Sequence, residues 1–353
     1  MNLFVRKLIE RPPFWLDGLG PETDVVFATR IRLARNLRNL PFSSVANVDA
    51  RRKVLEEVDK ATKHSGLFSS HEMVDVFSLH PLERDVLLER HLVSRELLSV
   101  PLGAVYVDDQ ELLPMMVNEE DHIRLQSLRG GLDLVESWRI LKQAERELDR
   151  ILKFAFHSSY GYLTTCPTNV GTGLRASVLC HLPGLAYTGK IQNLIEAANQ
   201  AGIAVRGFFG EGSAPIGNFF QFSNRGTLGR SEEEFIGDLE IWVHQVIETE
   251  RKAREELMKK EGVGFEDKVH RALGILRSAR VMTTEEMMNL LSAVRLGLDQ
   301  ECLRKPDVSD LNRVQIWSQP AHLQQRCGRA LSPRERDIER ANFIRRTLSD
   351  SVS

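Results

Sequence analysis

The sequence predicts an α+β region followed by an all-helical one, and three observations carry that reading. Residues 25–35 alternate as a strand does: Phe27, Thr29, Ile31 and Leu33 share one parity, and Ala28, Arg30 and Arg32 share the other. Helix starts carry their own signals, with Ser231 and Glu234 forming a capping box and Thr283 and Glu286 capping another helix. The triplet Gly262-Val263-Gly264 reads as a linker, and beyond it the chain looks helical throughout. The domain boundary is placed there, giving residues 1–261 and 265–353.

The elements follow in order. An amphipathic helix is expected over 49–63, and Ala104-Val105-Tyr106-Val107-Asp108-Asp109 reads as a strand ending in a turn. Residues 112–126 read as a second arginine-bearing strand. A long helix over about 133–156 places Val135, Trp138, Leu141, Leu148, Ile151 and Leu152 on its apolar stripe. The glycine-rich loop 166–175 is expected to run into a helix through Ala176–Leu182, and a further helix spans 191–201. Strands are expected at 203–208 and 216–223. The helix opened by Ser231 carries Phe235, Leu239, Val243 and Val246 on its apolar face, then dissolves into the charged run Glu248–Glu261. In the last region the Thr283 helix is rich in Met287, Met288, Leu291 and Val294. Ser332-Pro333-Arg334-Glu335 opens the final helix, with proline at its first position.

Composition narrows the function classes. The chain has 353 residues, 42% hydrophobic and 27% charged, which fits a globular protein of about two domains. A net charge of −2 excludes a nucleic-acid binder that relies on bulk positive charge. There are 12 lysines among 47 basic residues, leaving 35 arginines. Codon usage in a GC-rich genome explains that bias, and a bidentate anion site would also require it. Cys166, Cys180, Cys302 and Cys327 form neither a CxxC pair nor a ligand spacing, which argues against structural zinc and a disulfide framework. Met1-Asn2-Leu3-Phe4-Val5-Arg6-Lys7 is too short and charged for a signal peptide, and no run approaches the roughly 18 apolar residues of a membrane span. The expected compartment is a reducing cytoplasm, with no membrane or nucleic-acid partner.

The most informative stretch is Cys166-Pro167-Thr168-Asn169-Val170-Gly171-Thr172-Gly173-Leu174-Arg175-Ala176-Ser177. Two glycines one residue apart and an arginine without a local counter-charge describe a tight loop that brings N–H groups and a guanidinium up to an anion. Gly-Lys-Ser/Thr is absent, so a phosphate held here is held by arginine. Gly184-Leu185-Ala186-Tyr187-Thr188-Gly189-Lys190 has P-loop spacing, but Ile191 stands where a Mg²⁺-binding hydroxyl is needed. Arg225-Gly226-Thr227 reads as a structural turn.

In Asn118-Glu119-Glu120-Asp121-His122-Ile123-Arg124-Leu125, an extended chain would point Asn118, Glu120, His122 and Arg124 to one face. Taken alone, the segment also fits a solvated sheet face with cross-strand ion pairs. Arg30 and Arg32 repel each other across one strand face unless an anion sits between them. Arg206, in Arg206-Gly207-Phe208-Phe209-Gly210-Glu211, adds an arginine and a carboxylate on a glycine-flanked turn. Arginines on three strand-like segments, with Arg175 on the loop, suggest a polyphosphate site built from guanidinium forks.

The segments Cys166–Ala176, Asn118–His122 and Arg30-Ile31-Arg32 together resemble the signature loop, catalytic run and Arg-x-Arg strand of guanidino (phosphagen) kinases, in the family's order. The resemblance spans roughly residues 24–254 and implies a catalytic domain with an antiparallel sheet flanked by helices. It implies ATP contacts at Ala28, Thr29, Arg30, Ile31, Arg32, His91, Arg124, Arg175, Ala176, Ser177, Val178 and Leu179. Arg206, Gly207, Phe208, Phe209, Gly210 and Glu211 complete that set. Glu120 and Glu211 would fork the substrate guanidinium, and Cys166 would lie against it. Mg²⁺ would be held through phosphates and water, with no metal ligands from the protein.

Departures sharpen the resemblance. Ala28-Thr29 stands where the family has two serines, and Arg206-Gly207-Phe208 where it has Arg-Gly-Thr. The arginine strand lies close to Met1, so the family's preceding helical domain is expected to be missing, while helices follow at 265–353. This pattern is similar to bacterial protein-arginine kinases of the McsB type, for which an open groove would suit a polypeptide substrate. Arg336-Asp337-Ile338-Glu339-Arg340-Ala341 resembles their phosphoarginine-binding allosteric motif, although an exposed helix laced with ion pairs has the same spacing. The family implies an activator protein, a heat-shock repressor and a Clp-type protease chaperone as partners, and a homodimer or larger assembly. A kinase for free arginine or another small guanidino compound, and a non-catalytic phosphoarginine-reading adaptor, are the alternatives.

Overall fold

Strand β1 (Val26–Arg35) is the spine of the fold. The computed structural model describes residues 2–207 and 215–349. Helices α1 (Leu3–Glu10) and α2 (Val48–His64) flank β1 in sequence. They are followed by β2 (Glu72–Asp75), α3 (Pro81–Glu89), β3 (Ala104–Val107), β4 (Met115–Val117), β5 (Ile123–Gly130) and α4 (Leu134–Leu152). The hairpin β6 (Phe156–His157) and β7 (Gly161–Tyr162) precedes β8 (Leu174–His181), α5 (Pro183–Tyr187), α6 (Ile191–Gln200), β9 (Ile203–Arg206) and β10 (Phe219–Asn224). Helices complete the chain: α7 (Glu232–Glu261), α8 (Val263–Ser278), α9 (Thr284–Asp299), α10 (Val308–Trp317), α11 (Pro320–Cys327) and α12 (Pro333–Ser349).

Eight strands form one antiparallel sheet in the order β2-β3-β4-β5-β1-β8-β10-β9. Arg32 lies opposite Gln126 of β5 on one side and opposite Arg175 of β8 on the other. Ala34 pairs with Arg124, and Gln221 of β10 pairs with Arg206 of β9. Because directly opposite residues share a sheet face, Arg30, Arg32, Arg124, Arg175, Gln221 and Arg206 all project from one side. The other side carries Ile31, Leu33, Leu125, Ala176, Val178 and Phe222, all buried where α4 and α7 pack on the sheet.

Local signals and tertiary context disagree in several places. Residues 174–181 form a strand rather than the expected helix: Leu174, Ala176, Val178 and Cys180 alternate into the core, and β1 and β10 supply a ladder on each edge. The expected strand over 112–126 is two strands, because Asn118 takes φ 60° and the chain reverses before β5. Val135 and Ile151 face solvent, and the buried stripe of α4 runs through Leu134, Trp138, Leu141, Leu148 and Leu152. The capping box of Ser231 and Glu234 forms as expected, but its helix does not dissolve at Glu248. It continues to Glu261 because part of the charged run has buried partners. Glu250 accepts hydrogen bonds from the N–H groups of Gly184 (2.8 Å) and Leu185 (2.9 Å), and from Nε of Arg254 (2.7 Å). Arg254 also reaches Asp299 of α9 (3.2 Å) and the carbonyl of His181 (3.1 Å).

Gly262, at φ 43°, is the one residue between α7 and α8, so the expected linker is a sharp bend. Helices α8 to α12 pack on the arginine-bearing side of the sheet, beyond the arginines. There Ala28, Leu128 and Phe219 join Val269, Met287, Met288, Leu291 and Val294 in one apolar cluster. The helical region therefore abuts the floor of the same face that presents the guanidiniums.

Replacing Arg254 with alanine leaves the buried Glu250 carboxylate with the Gly184 and Leu185 N–H groups but without its counter-charge. Urea unfolding is expected to show a loss of about 3–5 kcal/mol, and a loss below about 1 kcal/mol would contradict the clamp.

Candidate active site

The arginine face opens into a cleft of about 800 Å³. Its floor is β5, β1, β8 and β10; Leu88, His91, Val93, Ser94, Arg95 and Glu96 form one wall. Cys166, Thr168 and Asn169 of the glycine-rich loop form the rim, and Arg206 and Gln221 form the far side.

The glycines of the loop are required by its path. Gly171 has φ 113°, and a Cβ there would lie 2.1 Å from the carbonyl oxygen of Thr227. Gly173 has φ 60°, and its Cβ would fall 2.6 Å from the carbonyl of Ala34. The single Thr227 hydroxyl proton is shared between the carbonyls of Thr168 (2.9 Å) and Val170 (2.8 Å), so the Arg225-Gly226-Thr227 turn braces the loop from outside. Arg35 braces it from inside: Nη1 donates to the carbonyls of Ala34 and Thr172 (2.8 Å each) and Nε donates to Glu145 (2.7 Å).

Four of the five residues in Asn118–His122 are spent on holding the fifth. Asn118 donates to the carbonyls of Arg51 (2.9 Å) and Leu102 (3.0 Å). Asp121 accepts from Asn36 and from the Thr165 N–H, both at 2.7 Å, tying this turn to the chain entering the loop. His122 accepts at Nδ1 from the Leu37 N–H (3.0 Å), which leaves Nε2 to donate to the Pro41 carbonyl (2.9 Å). Glu119 is buried and accepts from Arg124 Nη1 (2.7 Å), Ser94 Oγ (2.7 Å) and the Glu120 N–H (2.8 Å). Glu120 is left half-exposed in the cleft, 3.2 Å from Arg124 Nη2. The expectation that Asn118, Glu120, His122 and Arg124 share a strand face is thus corrected: Asn118 and His122 are buried structural groups.

The electrostatics are those of an anion-binding site. No carboxylate among the described residues forms an ion pair with Arg30 or Arg32, and Nε of Arg32 is buried without a hydrogen-bond partner. Burial, aided by Arg124, Arg206 and Arg175, lowers Arg30 to about 10. Arg32 is depressed as well, by burial and then by Arg30, Arg124 and Arg175. Burial and the same two arginines push His91 down to about 3. Glu120 is raised above the usual carboxylate range, chiefly by burial and then by Asp121, Glu119 and Glu96, against the pull of Arg124. Such a cradle fits the phosphates of a nucleotide. Among the described residues no group of three or more His, Cys, Asp or Glu side chains could hold a metal ion.

The cleft brings together Arg30, Arg32, His91, Arg124, Cys166, Arg175, Arg206 and Glu120. Ile31, Ala176 and Val178 point into the core on the opposite face, and Ala28 and Leu179 pack toward the helical region. Thr29 and Ser177 are buried, bonding the carbonyls of Gly131 and Arg30. Cys166 sits on the rim with Sγ 3.1 Å from Thr168 Oγ1. Gly207 ends the described part of its segment; Phe208, Phe209, Gly210 and Glu211 lie outside the described residues. The segment Arg336–Ala341 lies on α12, away from the cleft. Arg340 there is buried and bonds the carbonyls of Ser318 (3.0 Å) and Met282 (2.8 Å) and the Asp337 carboxylate (2.5 Å). Sequence reading missed the wall at Ser94, Arg95 and Glu96, and Gln221, since neither segment carries a motif; the Ser94 bond to Glu119 holds the first at the arginines and the sheet order brings the second there.

This geometry defines a phosphoryl-transfer enzyme: an arginine cradle for a polyphosphate with one carboxylate facing it. The profile described as ATP:guanido phosphotransferase, C-terminal catalytic domain, matches residues 52–253, and that of the protein-arginine kinase McsB C-terminal domain matches residues 263–353. Among curated relatives, a protein-arginine kinase of Symbiobacterium thermophilum is 44% identical over 339 residues, 95% of this chain and 96% of its own. Those of Moorella thermoacetica and Bacillus cereus (strain G9842) are 43% and 42% identical, over 97% and 95% of this chain and 99% and 95% of theirs. The chain belongs to the ATP:guanido phosphotransferase family, in the branch whose members bear the name protein-arginine kinase. It is a kinase, with ATP as the family's phosphoryl donor. A solved lombricine kinase superposes with a TM-score of 0.59 at 24% identity, over 68% of this chain and 71% of that one. The duplicated taurocyamine kinase from Schistosoma mansoni with transition-state-analogue components gives 0.60 at 24%, over 74% and 38%. At that identity the likeness speaks for the fold alone, a large antiparallel sheet flanked by helices. No helix among the described residues is long and apolar enough to cross a membrane.

The depressed His91 gives a direct check. Its ring resonances, assigned by their loss in His91→Asn, are expected to stay those of neutral imidazole across pH 5 to 8 and to move only toward pH 3. A midpoint near the ordinary 6.5 would contradict the arginine field.

Proposed function

We propose that this enzyme transfers the γ-phosphoryl group of ATP to arginine side chains of proteins. The observation that carries the proposal is Glu120, a half-exposed carboxylate lining the same cleft as Arg30 and Arg32, with which no carboxylate among the described residues forms an ion pair. The names of the relatives and the C-terminal match support a polypeptide as the arginine donor.

The acceptor guanidinium arrives protonated, with a pKa of about 12.5 or more, and is a poor nucleophile. Glu120 grips it, aims one nitrogen at the γ-phosphorus and takes its proton as the N–P bond forms and the bond to the ADP oxygen breaks. Glu211 serves as the second arm of the fork, and Cys166 packs against the substrate guanidinium at the rim. Arg30, Arg32, Arg124, Arg175 and Arg206 spread over the phosphates and take up charge as the phosphoryl group moves, so rate comes from positioning and electrostatics. His91, kept neutral, adds a hydrogen-bonding group without further positive charge. Mg²⁺ would be carried on phosphate oxygens and water.

The regulatory reading is also a proposal. Arg336 to Ala341 would bind phosphoarginine and raise activity, and marked proteins would pass to a Clp-type protease, with an activator protein and a heat-shock repressor as further partners. The two regions on either side of Gly262 would correspond to a catalytic domain and this regulatory domain.

Incubation with Mg²⁺-ATP and casein, followed by mass spectrometry that preserves P–N bonds, is expected to find acid-labile phosphate on arginine. Glu120→Gln should cut the rate about 100- to 10,000-fold while ATP still binds. Because ionised Glu120 is lost as pH falls through its raised pKa, the acid limb of kcat/KM should lie above 4.5. Acid-stable phosphoserine, phosphorylation of free arginine alone, or full activity of Glu120→Gln would each contradict the reading.

A further inference from the structure

We propose that the helical region sets the geometry of the cleft through two polar anchors, Glu89 on one wall and Asn289 with Ser292 on the other. Both anchors consist of hydrogen bonds that the apolar packing of the region does not require, and each sits within a few residues of the cleft lining.

The first anchor holds the wall that carries His91. Glu89 ends α3, and its carboxylate accepts from the N–H groups of Ala321 (2.7 Å) and His322 (3.0 Å) and lies 2.7 Å from His322 Nδ1. The first turn of α11 is thereby fixed to the last turn of α3. Two residues on is His91, with φ 60°, and then Val93, Ser94, Arg95 and Glu96 along the cleft. A rotation of α11 moves this wall relative to the arginine floor.

The second anchor holds the opposite side. Gly217 donates its N–H to Asn289 Oδ1 (3.1 Å), and Asn218 donates from Nδ2 to Ser292 Oγ (2.8 Å), which is also 2.8 Å from His181 Nε2. The contact is close enough that a Cβ on Gly217, at φ 64°, would lie 2.8 Å from the Met288 carbonyl oxygen. From Asn218 the chain enters β10 and reaches Gln221 in the cleft. In sequence, the stretch between Arg206 and Gly217 contains Glu211.

One guanidinium joins the anchors. Arg340 donates Nε to the carbonyl of Ser318, two residues before α11, and Nη1 to that of Met282, one residue before the Thr283 cap of α9. Asp337 completes the knot, its carboxylate on Arg340 and its carbonyl accepting from the Met282 N–H (3.0 Å). The lead-ins of both anchoring helices therefore share a single buried cation, and the spacing of the two walls depends on it.

The test uses the full chain, with ATP affinity from calorimetry, transfer to casein arginine, and Tm for every variant. Glu89→Ala should weaken ATP binding about tenfold with kcat at saturating ATP within about twofold. Asn289→Ala combined with Ser292→Ala should leave ATP affinity within about twofold and lower kcat about tenfold. Asn289→Asp, paired with wild-type Ser292, keeps the acceptor for the Gly217 N–H and should restore kcat. Unchanged constants in all variants, or parallel losses in both constants that track the fall in Tm, would overturn the proposal. Only the transfer arm rests on the arginine-kinase reading: a wild-type chain that fails to modify casein refutes that reading, and the Glu89 affinity arm then decides the anchors by itself.

Discussion

Everything in the cleft depends on guanidiniums gathered close together on one face of the sheet. Arg32 stands opposite Arg175 across β1 and β8, with Arg124 and Arg30 close by, and no carboxylate among the described residues forms an ion pair with Arg30 or Arg32. The contrast with Arg35, three residues further along the same strand, shows that this is not a shortage of partners. Arg35 faces the other way and receives Glu145, two carbonyls and the Tyr162 ring 3.4 Å from its centre. One strand thus carries an ion-paired structural arginine on one face and, on the other, two arginines with no carboxylate partner among the described residues. The second face costs stability until an anion arrives.

Holding such a face open requires rigidity around it. The core beneath β1 and β8 fixes the floor, the Gly171 and Gly173 backbone fits where no side chain could, and Asp121 ties the Glu120 turn to the loop through the Thr165 N–H. Glu119 does for the charge what these do for the backbone. It neutralises Arg124 just enough to place it, and it fixes Ser94 and the Glu120 main chain in the same step. Preorganisation of this kind lets phosphoryl transfer proceed with little rearrangement of the protein.

Much of this was legible in the sequence, for physical reasons. Alternation in residues 25–35 exposed the arginine face, because a strand with period 2 separates its two sides cleanly. The capping boxes at Ser231 and the cap at Thr283 marked helix starts, because side-chain caps are local chemistry. What failed was whatever long-range contact decides. Residues 174–181 are a central strand because two neighbours need them, and the run Glu248–Glu261 stays helical because Glu250 and Arg254 find partners on α5, α9 and β8. The roles of Asn118, Asp121 and His122 were hidden as well, since the same polar residues read as a solvated face until the fold shows them buried.

The most direct test of the central claim is thermal unfolding of the wild type and of Arg32→Met, each with and without millimolar Mg²⁺-ATP. Because the clustered guanidiniums repel one another and attract polyphosphate, ATP should raise the wild-type Tm. Arg32→Met, relieved of repulsion, should unfold at a higher temperature than the wild type without nucleotide and gain little from ATP. An Arg32→Met chain that is less stable than wild type without nucleotide, yet gains as much from ATP, would contradict the account.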